Sequence, residues 1–216
     1  MDEIKIQENR EKDSIRKYWF GYLAHNFVVK KLFALSSKRL QNRIVSLVVG
    51  TPRSILDTSC GDDDLIVRIC RKFGASICIA NDLSPQLTSF INDTGVILRR
   101  TNFNILSQPF VNKFDLVVCK NTLHHIPKDY QANLIGYLLK ISRQLIIVDI
   151  ENPKNSSIRA RIWNWYYRII LGDKSDYFLD FEEFQSTLSS AGNQFTFGKF
   201  PTMKGDYMYG VTTKET

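Results

Sequence analysis

The sequence predicts an α/β fold: a mostly parallel sheet with helices on both faces, preceded by N-terminal helices. Three observations predict it. From Ser54 onward, short apolar runs alternate with amphipathic stretches, the order expected of successive strand–helix units. The runs LVVC and LIIV are continuously apolar, as strands covered on both faces are. The segments QFTFGKF and DYMYGVTTK instead alternate apolar with polar, and only a short turn-like stretch joins them. They predict an antiparallel pair closing one sheet edge.

The elements follow in order. Residues 1–13 are polar. From Ile15 to Leu35, apolar residues recur with helical period at 15, 18, 19, 22, 23, 27, 28 and 32. Ser37 is placed to cap a second helix that carries Leu40, Ile44, Val45 and Val48 on one face, and Gly50-Thr51-Pro52 ends it. Residues 1–50 are thus a helical cover, and residues 51–216 form the main domain. Within that domain SILDTS, SICIA, VILRR, FDLVV and QLIIVDI read as strands. Leu65–Phe73, Pro85–Asn92, Asp129–Leu139 and Phe181–Ala191 read as helices. The segment 151–180 stands apart, because basic and aromatic residues interleave along it.

Composition bounds the function. The chain has 216 residues with 44% hydrophobic and 24% charged, enough for one domain with a core and too apolar for disorder. The net charge of +7 permits an anionic partner without demanding nucleic acid. The charged start MDEIKIQENREKD has no apolar signal-peptide core, and no apolar run reaches the roughly 18 residues of a membrane span. A cytoplasmic location is expected. Cys60, Cys70, Cys78 and Cys119 lie in or beside apolar runs without metal-ligand spacing, so they are expected as reduced, buried thiols. No metal site is expected.

In open α/β sheets, ligands bind beyond the carboxyl ends of the strands. Polar residues gather there: Asp57, Thr58, Ser59, Cys60 and Gly61, then Asp62, Asp63 and Asp64; Asn81 and Asp82; Asn102, Phe103 and Asn104; Lys120, Asn121, His124 and His125; Asp149, Glu151 and Asn152. Asp82 ends the second strand about twenty residues after Gly61, where a carboxylate accepts from both hydroxyls of a ribose. The loop SCGDDD would repel a pyrophosphate and has no P-loop lysine. It suits a ligand with adenosine at one end and positive charge at the other.

These segments resemble the motifs of the class I S-adenosylmethionine-dependent methyltransferases. ILDTSCGDDDL is similar to their first motif, IANDLS to their ribose-binding motif, and FDLVVCKNTLHHIP to their fourth, in the style of the small-molecule branch that includes quinone-biosynthesis C-methyltransferases. The resemblance spans residues 52–150. It implies a Rossmann-like seven-stranded sheet whose last strand inserts antiparallel, and S-adenosylmethionine as cofactor. The implied cofactor-binding residues are Asp57, Ser59, Gly61, Asp63, Asp82, Leu83, Asn102, Phe103 and Lys120. Leu83 and Phe103 would sandwich the adenine, and Asn102, or else Asn104, would accept from its amino group. The sequence departs from the family at Ser59 and Asp63, which stand where the first and third glycines are usual; only Gly61 remains.

The fourth motif supplies His124 and His125 as candidate bases, since an imidazole titrates near neutral pH, and Asn121 as an orienting residue. The segment 151–180 carries Lys154, Arg159, Arg161, Arg168, Trp163, Trp165, Tyr166 and Tyr167 and reads as a lid on the acceptor side. Ile158, Ile162, Trp165 and Ile169 would face the core at helical spacing. Lys30, Lys31, Lys38, Arg39 and Arg43 make a basic face suited at most to weak contact with an anionic membrane surface. The expected function is methyl transfer to a small organic acceptor. The alternatives are an RNA or protein methyltransferase and a scaffold whose cofactor site has decayed.

Overall fold

The structure, a computed structural model, describes residues 34–89, 91–102, 104–107, 110–155, 157–170, 175–202 and 204–213. The expected helix at 15–35 lies almost wholly outside them. The elements run α1 (Ala34–Ser46), β1 (Ser54–Asp57), α2 (Leu65–Phe73), β2 (Ile77–Asn81), α3 (Pro85–Ser89), β3 (Leu98–Thr101), β4 (Phe114–Lys120), α4 (Lys128–Ile141), β5 (Ser142–Ile150), α5 (Ile158–Ile170), α6 (Phe181–Ser189), β6 (Thr196–Thr202) and β7 (Gly205–Thr213). The strands form one seven-stranded sheet in the order β3-β2-β1-β4-β5-β7-β6. β7 pairs antiparallel with both β5 and β6, while β1 to β5 are parallel. The expected α/β architecture, antiparallel last strand and closing hairpin are all present.

The sheet is covered on both faces because its central strands are apolar on both. Along β4, Val117 and Cys119 pack on one face with Leu134, Leu138 and Phe184. Leu116 and Val118 pack on the other with Ile44, Leu65 and Ile69. α2 ends at Gly74, whose φ of 66° turns the chain back into β2. At α6 the N-terminus is fixed by a reciprocal pair: the Glu183 amide donates to Asp180, and the Asp180 amide donates to the Glu183 carboxylate. Among the described residues, no helix is long and apolar enough to cross a membrane.

Four expectations need correction. Helix α1 is already formed at Ala34, so Ser37 lies inside it rather than capping it. Helix α3 stops at Ser89, three residues short of the expected end, and Arg100 holds the following segment by donating to the Thr88 and Ile91 carbonyls (2.9 and 3.1 Å). Ile158, Ile162 and Trp165 are exposed (73, 61 and 59%) rather than in the core. Helix α5 turns Ala160 inward instead, against Gly205 of β7, where a Cβ on Gly205 would lie 3.0 Å from the Ala160 methyl.

The fourth correction concerns cysteine. Cys60 and Cys119 are buried and free, as expected. Cys70 and Cys78 instead form a disulfide, with Cα atoms 6.6 Å apart. Cys70 lies in the last turns of α2 and Cys78 near the start of β2, so an eight-residue spacing becomes a close contact once Gly74 reverses the chain. Thiol titration of the protein unfolded without reductant is therefore expected to find two reactive cysteines, and four after reduction. Four without reductant would show the pair to be open.

The candidate active site at the carboxyl edge

Parallel strands all end at one edge, and their last residues deliver the polar groups of the site. Asp57 ends β1 and is 1% exposed. Burial pushes its carboxyl up to about 7; the Lys120 ammonium opposes the shift, while Asp63 and Asp82 add to it. Asp57 accepts from the Ser59 amide at 3.3 Å. Lys120 ends β4 and reaches across to Asp63 in an ion pair. Burial alone would depress the Lys120 ammonium, but Asp63 first and then Asp57 outweigh it and hold it above its ordinary value.

The loop after β1 folds around its carboxylates. Gly61 has φ +57°, a conformation that favours glycine, and its amide donates to Asp82 Oδ2 at 2.9 Å. A Cβ at Gly61 would meet nothing within 4 Å, so the loop presents open space beside that residue. Asp63 accepts from the Leu65 amide at 2.9 Å and from Gln41 of α1. Asp63 thus takes the first amide of α2, while Asp64, at the N-cap position, makes no capping bond with its side chain, is exposed and accepts from the Asn92 amide. Ser59 pairs its hydroxyl with Thr122, which ties this loop to the one after β4.

Asp82 follows β2. Its other oxygen accepts from the Ser84 amide at 2.9 Å, and burial raises its pKa against the pull of the Ser84 and Gly61 amides. Leu83 is half-buried in the same turn. Asn102 donates to the Asp82 carbonyl and to the Thr88 hydroxyl, both at 3.2 Å, so it stands beside Asp82. Asn104 uses its carbonyl oxygen on the Leu106 amide. Phe103 lies outside the described residues.

Beyond Lys120 the chain turns sharply. Asn121 has φ 55°, the one left-handed non-glycine among the described residues, and its buried Oδ1 has no hydrogen-bond partner among them. His124 is buried and pairs its Nδ1 with Asp149 of β5, while its ring stacks on Phe178 with centroids 5.2 Å apart. Asp149 also accepts from the amides of Leu123 (2.7 Å) and His124 (3.3 Å), so it holds the turn as well as the ring. His125 is half-buried, its ring 4.2 Å from that of His124.

The fold thus gathers Asp57, Ser59, Gly61, Asp63, Asp82, Leu83, Asn102, Lys120, Asn121, His124 and His125 along one edge. Sequence reasoning named Asp149 as a strand-end residue but gave it no role. It missed Gln41, Lys204 and Tyr207. Tyr207 of β7 is buried, its pKa raised by burial against the pull of Lys120. No local pattern marks these residues; they reach the site only through the closing hairpin and α1.

The electrostatics are testable. Asp57 has its pKa raised from 3.8 to about 7, so folding stabilises its neutral form. That contribution is complete below about pH 4 and is lost as pH rises through about 7. Asp57→Asn cannot ionise. Between pH 5 and pH 8 its stability relative to wild type is expected to rise by up to about 3 kcal/mol in urea denaturation. A difference that does not change with pH would show Asp57 to titrate normally.

No protein-family model matches the chain, and no curated protein does so significantly. Solved structures do. The magnesium protoporphyrin IX methyltransferase of Synechocystis PCC 6803 with bound S-adenosylhomocysteine superposes with TM-score 0.65 at 14% identity, over 84% of each chain. The plantazolicin methyltransferase BpumL, also with S-adenosylhomocysteine, gives TM-score 0.66 at 13% identity over 99% of this chain and 97% of that one. An S-adenosylmethionine-dependent methyltransferase from Clostridium acetobutylicum ATCC 824 gives 0.61 at 14%, over 91% of this chain and 99% of that one. The chain has the Rossmann-like fold of these S-adenosylmethionine-dependent methyltransferases.

Proposed function

We propose that the protein transfers a methyl group from S-adenosylmethionine to a small organic acceptor. The observation that carries the reading is Asp82 at the carboxyl end of β2, joined through the Gly61 amide to an acidic loop. The residues fit the cofactor. Each Asp82 oxygen keeps a lone pair beyond its one backbone bond, so the carboxylate can accept from ribose hydroxyls. Gly61 leaves open space beside it. Asp57 and Asp63 offer negative charge to a sulfonium and an ammonium. The buried, unpartnered Asn121 Oδ1 is suited to accept from that ammonium. Asn102 stands beside Asp82, on the adenine side of the ribose.

When bound, the cofactor supplies an electrophilic methyl on sulfur, and the protein's part is orientation and proton handling. His124 is the residue suited to take the acceptor's proton. An Nδ1–H donated to Asp149 makes Nε2 the basic nitrogen, and Asp149 stabilises the imidazolium that forms. Asp149 is a positioning residue. Ser59 and Thr122 hold the cofactor loop and the His124 turn in register. His125 packs against His124 and supports it.

The segment 151–180 is assigned as the acceptor-side lid and residues 1–50 as a cover, of which α5 and α1 are described. In support, α5 carries an aromatic cluster of Trp163, Tyr166 and Tyr167, and α1 reaches Asp63 through Gln41. Nucleic acid is not expected as a partner. The exposed Lys38 and Arg39 suit at most a weak contact with an anionic membrane surface, while Arg43 lies over the Phe200 ring.

Titration calorimetry with S-adenosylhomocysteine tests the reading. Wild type is expected to bind at micromolar affinity, and Asp82→Ala at least tenfold more weakly, about 1.4 kcal/mol. No binding by wild type would leave a scaffold that keeps only the fold. With an acceptor in hand, His124→Gln is expected to lower kcat by about 10²–10⁴-fold without changing the affinity for S-adenosylhomocysteine. An equal loss in His125→Gln would move the base to that residue.

A further inference from the structure

Lys204 lies in the turn between β6 and β7. That turn stands at the carboxyl edge of the parallel strands, because β7 runs against β5 with Tyr207 opposite Ile150. The Lys204 ammonium donates to the Tyr167 hydroxyl at 3.3 Å. It stands 5.4 Å from the centre of the Trp163 ring and 5.8 Å from that of Tyr167. Among the described residues, no carboxylate comes within ion-pairing distance of it. Burial, with Lys120 adding to it and Asp63 and Asp62 opposing, presses its pKa down to about 8.

This arrangement is incomplete as a resting site for a cation. Lys204 is half-buried, and a lysine even partly withdrawn from water is normally paired with an acid, as the more deeply buried Lys120 is with Asp63. One phenol and two ring faces replace only part of a lost hydration shell. An anion beside Lys204 would complete it. Its charge is limited by Asp62 and Asp63, which lie within electrostatic reach of the same ammonium and would repel a doubly charged phosphate more than a carboxylate.

We propose that Lys204 binds a ligand carboxylate against the wall formed by Trp163 and Tyr167. The inference rests on the methyl-transfer reading and adds a named contact to it. The carboxylate comes from one of two sources: the amino-acid end of the cofactor, or an acidic acceptor. Either way α5 and the closing hairpin meet around one anionic group, so its arrival would fasten α5 to the edge of the site.

The test measures binding by calorimetry in wild type, Lys204→Met, the milder Lys204→Gln and the charge-keeping Lys204→Arg, each shown to be folded by circular dichroism and melting. The probes are S-adenosylhomocysteine; 5′-methylthioadenosine, which lacks the amino-acid end; and, on protein saturated with S-adenosylhomocysteine, benzoate and its neutral counterpart benzamide. If Lys204 holds the cofactor, Met and Gln weaken S-adenosylhomocysteine at least tenfold, leave methylthioadenosine unchanged, and Arg restores binding. If it holds the acceptor, S-adenosylhomocysteine is unchanged, while benzoate but not benzamide loses at least tenfold in Met and Gln and recovers in Arg. Unchanged S-adenosylhomocysteine affinity together with benzoate binding that is absent, or equal in all four proteins, overturns the assignment while leaving the cofactor reading intact. A wild type that binds none of the probes removes both.

Discussion

The site is organised by one electrostatic constraint: more carboxylates than cations are held at the carboxyl edge of the sheet. Asp57, Asp63 and Asp82 stand on adjoining segments, and Lys120 is paired directly with only Asp63. Buried like charges cannot all remain ionised at low cost. Asp57, withdrawn furthest from water, shows it most: burial first, with Asp63 and Asp82 adding to it and Lys120 opposing, pushes its carboxyl up to about 7. The loop after β1 answers with amides: Ser59 donates to Asp57, Gly61 and Ser84 to Asp82, and Leu65 to Asp63. A ligand that brings hydroxyl donors and positive charge relieves the same imbalance. The acidic edge therefore disfavours phosphates and suits the cationic adenosyl ligand of the proposed function.

A second arrangement is built one strand further on. Asp149 meets His124 and also takes the amides that open the turn carrying it. Ring, turn and strand are thus fixed by one carboxylate. The Ser59–Thr122 contact then couples this turn to the acidic loop. Reaction geometry at the proposed methyl-transfer centre depends on that coupling, since a base and a cofactor held by separate loops must keep register to within fractions of an ångström.

The fold was legible in the sequence because its strands are short, apolar and separated by periodic helices. Leu65–Phe73 is read to the residue, since its apolar positions face β1 and β2 and Gly74 stops it. The site edge was legible for a similar reason: residues that end parallel strands must share an edge, so strand order alone puts Asp57, Asp82, Lys120 and Asn121 together. The failures have physical causes as well. The stripe Ile158, Ile162 and Trp165 has core spacing, yet α5 packs with Ala160 inward, against Gly205 of β7. Periodicity shows that a helix has two faces and cannot show which one the backbone of a neighbouring strand will admit.

By itself, then, the sequence determined the order and type of the elements, the edge at which polar groups converge and the acidity of that edge. These are properties of local patterning and strand direction, which short stretches of chain carry. Tertiary structure alone decided which groups touch. It set Cys70 against Cys78, Asp149 against His124, and Lys120 against Asp63. It also brought Lys204 and Tyr207 to the site from the far end of the chain. Such pairings depend on sheet order and on the return of β7 beside β5, contacts between segments distant in sequence that no local window contains.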